Sequence, residues 1–230
     1  MASGKPSRDS VSEAFRIVRT NMDFMLKKVN GAQVVMLTSA NPGAGKSFIS
    51  LNLAVSLAQT GKRVILLEMD IRKGSEKAPG GHVLPGITNF LSGRENEADR
   101  LIRPYNDVER LDVMTSGPIP PNPSELLLTS CLDQLVDGLR ECYDYILIDT
   151  VPYGLVADAQ IISRVADLCI YVIREGMMDR RLLPDVECLY TEGKLPNMAV
   201  LLNDVRIKHA GYGYGYGYGY YGYGYAPDSK

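Results

Sequence analysis

The sequence lacks several features that would assign it to a class at once. Its four cysteines, Cys131, Cys142, Cys169 and Cys188, form no CxxC pair and no metal-like grouping with the two histidines, His82 and His209. Reduced, mostly buried thiols are the expectation, not a disulfide framework or a zinc site. There is no surplus of positive charge either: 25 Lys and Arg against 27 Asp and Glu leave a formal net charge of −2. A general nucleic-acid binder needs a strong basic excess, so no nucleic-acid partner is predicted. No apolar run approaches the roughly 18–20 residues of a membrane span, and no signal peptide is recognisable.

What is present is a globular composition, 45% hydrophobic and 23% charged over 230 residues. That length suits one domain, which buries about 70% of the surface its unfolded chain exposes. Residues 10–29 read as a helix. Ser10 and Glu13 match a capping box, and Phe15, Val18, Met22, Met25 and Leu26 recur at helical spacing. From residue 31 to 209, apolar strand-like runs alternate with helical stretches. The strand candidates are 33–37, 63–67, 111–115, 145–148, 168–173 and 198–202. They are continuous apolar runs, as expected of strands covered on both faces. Helices fit between them at 47–60, 124–139, 159–166 and 180–191, and Gly61 is placed to end the first as a C′ glycine. This rhythm predicts an α/β fold with a doubly wound, mainly parallel sheet flanked by helices. Ligands of such sheets sit beyond the carboxyl ends of the strands. The folded domain is predicted over 10–210, and a low-complexity tail follows over 211–230.

The strongest chemical signal is Ala40-Asn41-Pro42-Gly43-Ala44-Gly45-Lys46-Ser47, between a predicted strand and a predicted helix. That is the context of a P-loop, and it makes the fold P-loop NTPase-type. Its glycines let backbone N–H groups turn inward around phosphate oxygens, and the helix N-terminus favours the same anion. ATP is therefore expected against Asn41, Pro42, Gly43, Ala44, Gly45, Lys46, Ser47 and Phe48, with Lys46 reaching the β- and γ-phosphates and Ser47 on Mg²⁺. Asn203, just after the last strand, is a further candidate for contact with the nucleotide.

Two acidic strand ends belong on the same rim. One run ends in Glu68-Met69-Asp70, the other in Asp149-Thr150. Ser47, Asp149 and Glu68 are the expected metal partners. Glu68 and Asp70 share one face of an extended segment. A tyrosine hydroxyl has a pKa near 10, so its attack on phosphorus benefits from a carboxylate that accepts the proton. Glu68 or Asp70 fits that role, beside Lys46 and Asp149 in the catalytic set. Arg72 is placed to hold a phosphate or a neighbouring acid, and Asp158 most simply caps the helix after it.

The P-loop, the second acidic strand end and the strand YILIDT together resemble the bacterial tyrosine kinases of polysaccharide synthesis and export. Three more segments agree: SEAFRIVRTN from Ser12, LPGITNFLSG from Leu84 and SGPIPPNPSELL from Ser116. The resemblance covers nearly all of residues 10–225. It implies an ATP- and Mg²⁺-dependent protein-tyrosine kinase that phosphorylates its own C-terminal tyrosines between subunits of a ring and regulates capsule or exopolysaccharide synthesis. It implies that Glu13, Arg16 and Arg19 help form the subunit contact. It further implies a membrane adaptor, fused or separate, that activates the kinase at the inner face of the cell membrane from the cytoplasm, and a cognate tyrosine phosphatase that resets it. The sequence departs from the family pattern at Glu68, usually Asp, and at Val151 in the DTVP segment, usually Pro. The nearest competing class, ATPases that position septa or segregate plasmids, carries a lysine where Asn41 stands. An ATP-gated assembly module for export is a non-enzymatic alternative.

Residues 211–225 are pure Gly and Tyr and hold Tyr212, Tyr214, Tyr216, Tyr218, Tyr220, Tyr221, Tyr223 and Tyr225. These eight are the expected phosphoacceptors. Ordering such a segment costs roughly 1–2 kcal/mol per residue, more for glycine. An unsupported tail recovers only a fraction of that by burying tyrosines, so a flexible tail is predicted. A Gly-rich chain of about twenty residues spans roughly 25 Å, enough to reach a neighbouring site.

Overall fold

The computed structural model describes residues 8–26, 31–75, 81–105 and 108–205, with Arg8, Asp9 and Ser10 described by backbone only. The predicted tail and its eight tyrosines lie outside the described residues.

Helix α1 (Arg8–Met25) is followed by β1 (Gln33–Ser39), α2 (Lys46–Ala58), β2 (Val64–Glu68), α3 (Ile87–Leu91), β3 (Arg103–Pro104) and β4 (Leu111–Met114). Then come α4 (Pro123–Leu128), α5 (Ser130–Cys142), β5 (Tyr145–Asp149), α6 (Asp158–Ile162), β6 (Leu168–Arg174), α7 (Leu183–Thr191) and β7 (Met198–Asn203). The strands form one sheet in the order β3-β4-β2-β5-β1-β6-β7. All pairs are parallel except the short β3 against β4. This is the predicted doubly wound α/β fold, and all six predicted strands are present.

Alternation along the strands divides the core. Val35 and Leu37 of β1, Val64 and Leu66 of β2 and Leu147 of β5 pack on the side of α1 and α2. Met36, Ile65, Leu67, Ile146 and Ile148 face the layer of α5 and α6. The central strands are covered on both faces, as their unbroken apolar runs required. β7 is not: its residues alternate between buried and exposed, because it is an edge strand, and Val200 and Leu202 face outward.

Helix boundaries differ from the expectation where local chemistry intervenes. α1 begins at Arg8, so Ser10 lies inside the helix rather than capping it. Glu13 pairs with Arg16 instead (3.0 Å). The predicted helix 124–139 is two helices, because Thr129 is extended (ψ 157°) and its hydroxyl donates to the Leu126 carbonyl. Pro184 sits in the first turn of α7 and has no N–H to donate, so residues 180–182 wind as a 3₁₀ turn before the α-helix starts. Helix α3 was not predicted; five residues are too few for a periodic signal. Gly61 has the left-handed φ of a helix stop (84°), two residues past the cap residue Gln59. The cysteines are all free, but only Cys169 is buried; Cys142 ends α5 and Cys188 lies on the outward side of α7.

α1 is docked on its own domain. Phe15 and Met22 are buried, Arg19 Nη1 donates to the Ser56 carbonyl on α2 (2.8 Å), and the Tyr145 hydroxyl donates to Asp23 Oδ1 (2.8 Å). No helix among the described residues is long and apolar enough to cross a membrane.

Candidate functional site

Parallel pairing brings the ends of β1, β2 and β5 to one rim. Leu37 is level with Asp149, and Glu68 is level with Asp149 on its other side. The phosphate loop leaves β1 here. Gly43 and Gly45 adopt φ of 77° and 95°, which side chains rarely tolerate. At Gly45 a second constraint applies: a β-carbon would lie 2.3 Å from Asn203 Nδ2. That amide donates to the Ala44 carbonyl (2.8 Å). Asn203, expected to touch nucleotide, is thus fixed against the phosphate loop itself.

Lys46 is the first residue of α2 and is buried, with its Nζ donating to Ser39 Oγ (3.1 Å). Ser39 in turn donates to the Asn41 carbonyl (2.8 Å), which fixes the loop's entry. Burial pushes the Lys46 ammonium below its ordinary pKa, against the opposing pull of Asp149 and Asp70. Asp149 is 9% exposed. Burial pushes its carboxyl up, opposed by the Ser47 hydroxyl and the Lys46 charge and reinforced by Asp70. Its Oδ1 is buried with no hydrogen-bond partner among the described residues. An orphaned carboxylate oxygen beside a lysine and a serine hydroxyl is costly unless something else completes it. A hydrated Mg²⁺ fits that gap, since Mg²⁺ keeps several waters and takes few protein ligands.

Glu68 and Asp70 lie on the α2 side of the sheet, as alternation predicted, because Met69 and Ile71 between and after them enter the opposite core. Asp70 also begins a turn. Its Oδ1 accepts the Lys73 N–H (3.2 Å), and its carbonyl accepts the N–H groups of Lys73 and Gly74 (3.3 Å each). Its charge reaches both Lys46 and Asp149. Ser47 and Phe48 are exposed on the first turn of α2, and the Phe48 ring lies 6.1 Å from that of Phe15 on α1. Of the predicted subunit-contact residues, Glu13 and Arg16 are exposed and paired to each other, while Arg19 is occupied by Ser56.

Asp158 does not cap α6. Ala157 is the cap residue, and Asp158 is fully buried with its carboxylate on Arg72 Nε (2.6 Å), Arg72 Nη2 (2.9 Å) and Ser124 Oγ (2.7 Å). Burial alone would raise this carboxyl, but the Arg72 and Ser124 contacts outweigh it and hold it below the ordinary range. Arg72 therefore grips an acid, one of its two expected roles, and joins the loop after β2 to α4 and α6.

Sequence reasoning missed Arg174. It ends β6, donates to the Gly43 carbonyl (3.1 Å) and pairs with Asp204 (3.0 Å), so it braces the phosphate loop from the opposite side to Asp149. A charged residue closing the apolar run LCIYVIR on the rim edge was the available signal.

Known proteins agree with this geometry. The AAA domain family model matches residues 32–177. The tyrosine-protein kinase CpsD of Streptococcus agalactiae serotype III (strain NEM316) is 36% identical over 204 residues, covering 87% of this chain and 85% of that protein. The solved kinase domain of the Escherichia coli tyrosine kinase ETK superposes with a TM-score of 0.75 at 31% identity, over 90% of this chain and 80% of that one. The septum site-determining protein MinD of Pyrococcus horikoshii OT3, solved with Mg-ADP, shares the fold alone, with a TM-score of 0.56 at 18% identity over 74% of this chain and 70% of that one. With the strand-end acids, the phosphate loop and this level of identity together, the chain belongs to the family of bacterial tyrosine-protein kinases built on the P-loop fold.

Proposed function

We propose that this chain transfers the γ-phosphoryl group of ATP to tyrosines of its own Tyr/Gly-rich segment, Tyr212 to Tyr225, between copies. The observation that carries this reading is the Asp149 carboxylate, buried with an orphaned oxygen beside Lys46 and level with both Leu37 on the phosphate-loop strand β1 and Glu68 at the end of β2.

Each residue has a defined task. The N–H groups of the 43–48 turn and Lys46 hold the β- and γ-phosphates. Ser47 and Asp149 would hold Mg²⁺, which would supply neutralisation of phosphate charge. Asp70 adds its negative charge to the same cluster, since it acts on both Lys46 and Asp149. Glu68, level with Asp149 and one methylene longer than an aspartate, accepts the proton of the attacking phenol. Catalysis of this kind is mainly positioning and electrostatic stabilisation, so a pre-folded rim matters more than covalent chemistry. Glu13 and Arg16 are exposed on α1 and so are open to a ring contact there. The reading extends, on the kinship with the bacterial tyrosine kinases, to an activating membrane adaptor, a resetting phosphatase and a role in polysaccharide export.

The test is intact mass after incubation with ATP and Mg²⁺, beside Lys46→Met. A ladder of added phosphates mapping to 212–225, absent from the variant, supports a tyrosine autokinase. ATP binding without any phosphate transfer, with and without candidate adaptor segments, overturns it in favour of an ATP-gated assembly module. Glu68→Gln is expected to lower kcat about 100-fold with ATP affinity retained; an unchanged kcat would move the base role to Asp70.

A further inference from the structure

A groove beside the catalytic rim has no part in the reading above. It runs between α3 and the proline-rich loop 117–122 after β4, closes on Leu126 of α4 and encloses about 270 Å³. The loop is held from several sides. Thr88 Oγ1 donates to the Pro118 carbonyl (2.8 Å), the Gly117 N–H donates to Ser75 Oγ (2.7 Å), and the Ile87 N–H donates to the Thr115 carbonyl (2.9 Å). Gly86 passes so near that a β-carbon on it would sit 2.1 Å from the Thr115 carbonyl oxygen. The groove is therefore pre-formed, and binding would cost little ordering of its walls.

Ile119 is 62% exposed in the middle of this pinned loop, between Pro118 and Pro120. Its side chain also leans on the catalytic turn: a β-carbon on Gly74 would meet Ile119 Cγ1 at 2.7 Å, and the Gly74 N–H donates to the Asp70 carbonyl. Groove wall and Asp70 turn are one packed unit. β4, from which the loop leaves, adjoins β2, the strand that ends at Glu68, about 5 Å away at the usual strand spacing.

The lining suits an aromatic ring with a polar tip. Proline rings and Ile119 offer apolar surface, and Arg94 at the rim makes no ion pair among the described residues. The chain carries many such rings: tyrosines two apart in an extended segment repeat on one face every 6–7 Å or so, and Tyr212 to Tyr220 have that spacing. We propose that the groove holds a non-reacting tyrosine of the 211–225 segment of a second copy while another tyrosine of that segment lies at Glu68. This rests on the proposed function and adds a second contact, which makes a tyrosine repeat a better acceptor than a lone tyrosine.

The test uses the full-length chain with its eight tail tyrosines changed to serine, so that its own segment does not compete. Two fluorescent peptides are titrated by anisotropy: residues 211–225, and the same peptide with Tyr216 alone kept and the other tyrosines changed to serine. The repeat is expected to bind at least about tenfold more tightly. Ile119→Ser should remove that advantage, and Arg94→Ala, remote from the Asp70 turn, should reduce it by about threefold while leaving ATP affinity and single-tyrosine binding unchanged. Equal binding of the two peptides, or equal weakening of both by Arg94→Ala, overturns the proposal. Binding that depends on Ile119 without any phosphate transfer would overturn the kinase reading and leave the groove standing. Transfer to the repeat with no dependence on Ile119 would do the reverse.

Discussion

Asp149, at the end of β5, and Asp158, at the start of α6, are both buried aspartates, and the fold treats them in opposite ways. Asp158 has its carboxylate filled by Arg72 and Ser124, and its pKa falls. Asp149 keeps an oxygen with no hydrogen-bond partner among the described residues, and its pKa rises. A satisfied buried acid joins chain segments. An unsatisfied one stores an electrostatic demand that a ligand meets. The contrast separates architecture from chemistry in one stretch of chain, between the end of β5 and the start of α6.

The comparison breaks most visibly if Asp149 is neutralised. Asp149→Asn should lower phosphate transfer at least ~100-fold, measured by intact mass with ATP and Mg²⁺. The same change should raise the melting temperature of the ATP-free protein at pH 7, because it removes a buried charge whose desolvation Ser47 and Lys46 only partly offset. Each kcal/mol gained would appear as about 2–4 °C. Loss of both activity and stability would mean that the orphaned oxygen has a structural partner.

The pH dependence sharpens the contrast, and its sign differs for the two acids. The folded state holds the Asp149 carboxyl above the ordinary value near 3.9. Its contribution to stability is full below that value and is lost as pH rises through the folded pKa. Asp158 is held below the ordinary value, so its contribution is full above that value and is lost as pH falls through the folded pKa. Denaturation midpoints of the parent and Asp149→Asn should therefore differ most at neutral pH and converge toward pH 4. A constant gap would show that Asp149 is not the titrating group.

Arg72→Ala would leave Asp158 buried and unpaired. Breaking a buried pair costs about 3–5 kcal/mol; with Arg72 itself 40% exposed on its side chain, about 2–3 kcal/mol is expected. Urea unfolding measures it, and Arg72→Ala combined with Asp158→Asn should recover part of the loss. Smallest is Arg19→Ala, which removes the bond to the Ser56 carbonyl and should cost about 1 kcal/mol. A larger effect on oligomer mass than on unfolding would return Arg19 to the subunit contact.

Much of this was legible in the sequence. The phosphate loop, both acidic strand ends and six strands follow from apolar runs, glycines and one lysine, because those signals are local and the chemistry needs particular residue types close together. Alternation was enough to place Glu68 and Asp70 on one face, with Met69 and Ile71 on the other. The misses were of a different kind. Asp158 reads as a cap, since an aspartate before a helix usually is one; nothing local reveals an arginine 86 positions away. Nor does anything local show that Arg19 is held by Ser56 of α2, or that the Asn203 amide bonds to the phosphate loop at Ala44.

The sequence by itself thus determined where the phosphate-loop motif and the acidic strand ends fall and which segments become strands and helices, because backbone propensity, side-chain alternation and loop geometry act over a few residues. Only the tertiary structure decided which carboxylate is fully paired and which keeps an oxygen without a hydrogen-bond partner among the described residues. A charge's cost depends on how far water is excluded and on which opposite charges surround it, and both are set by distant parts of the chain folded together.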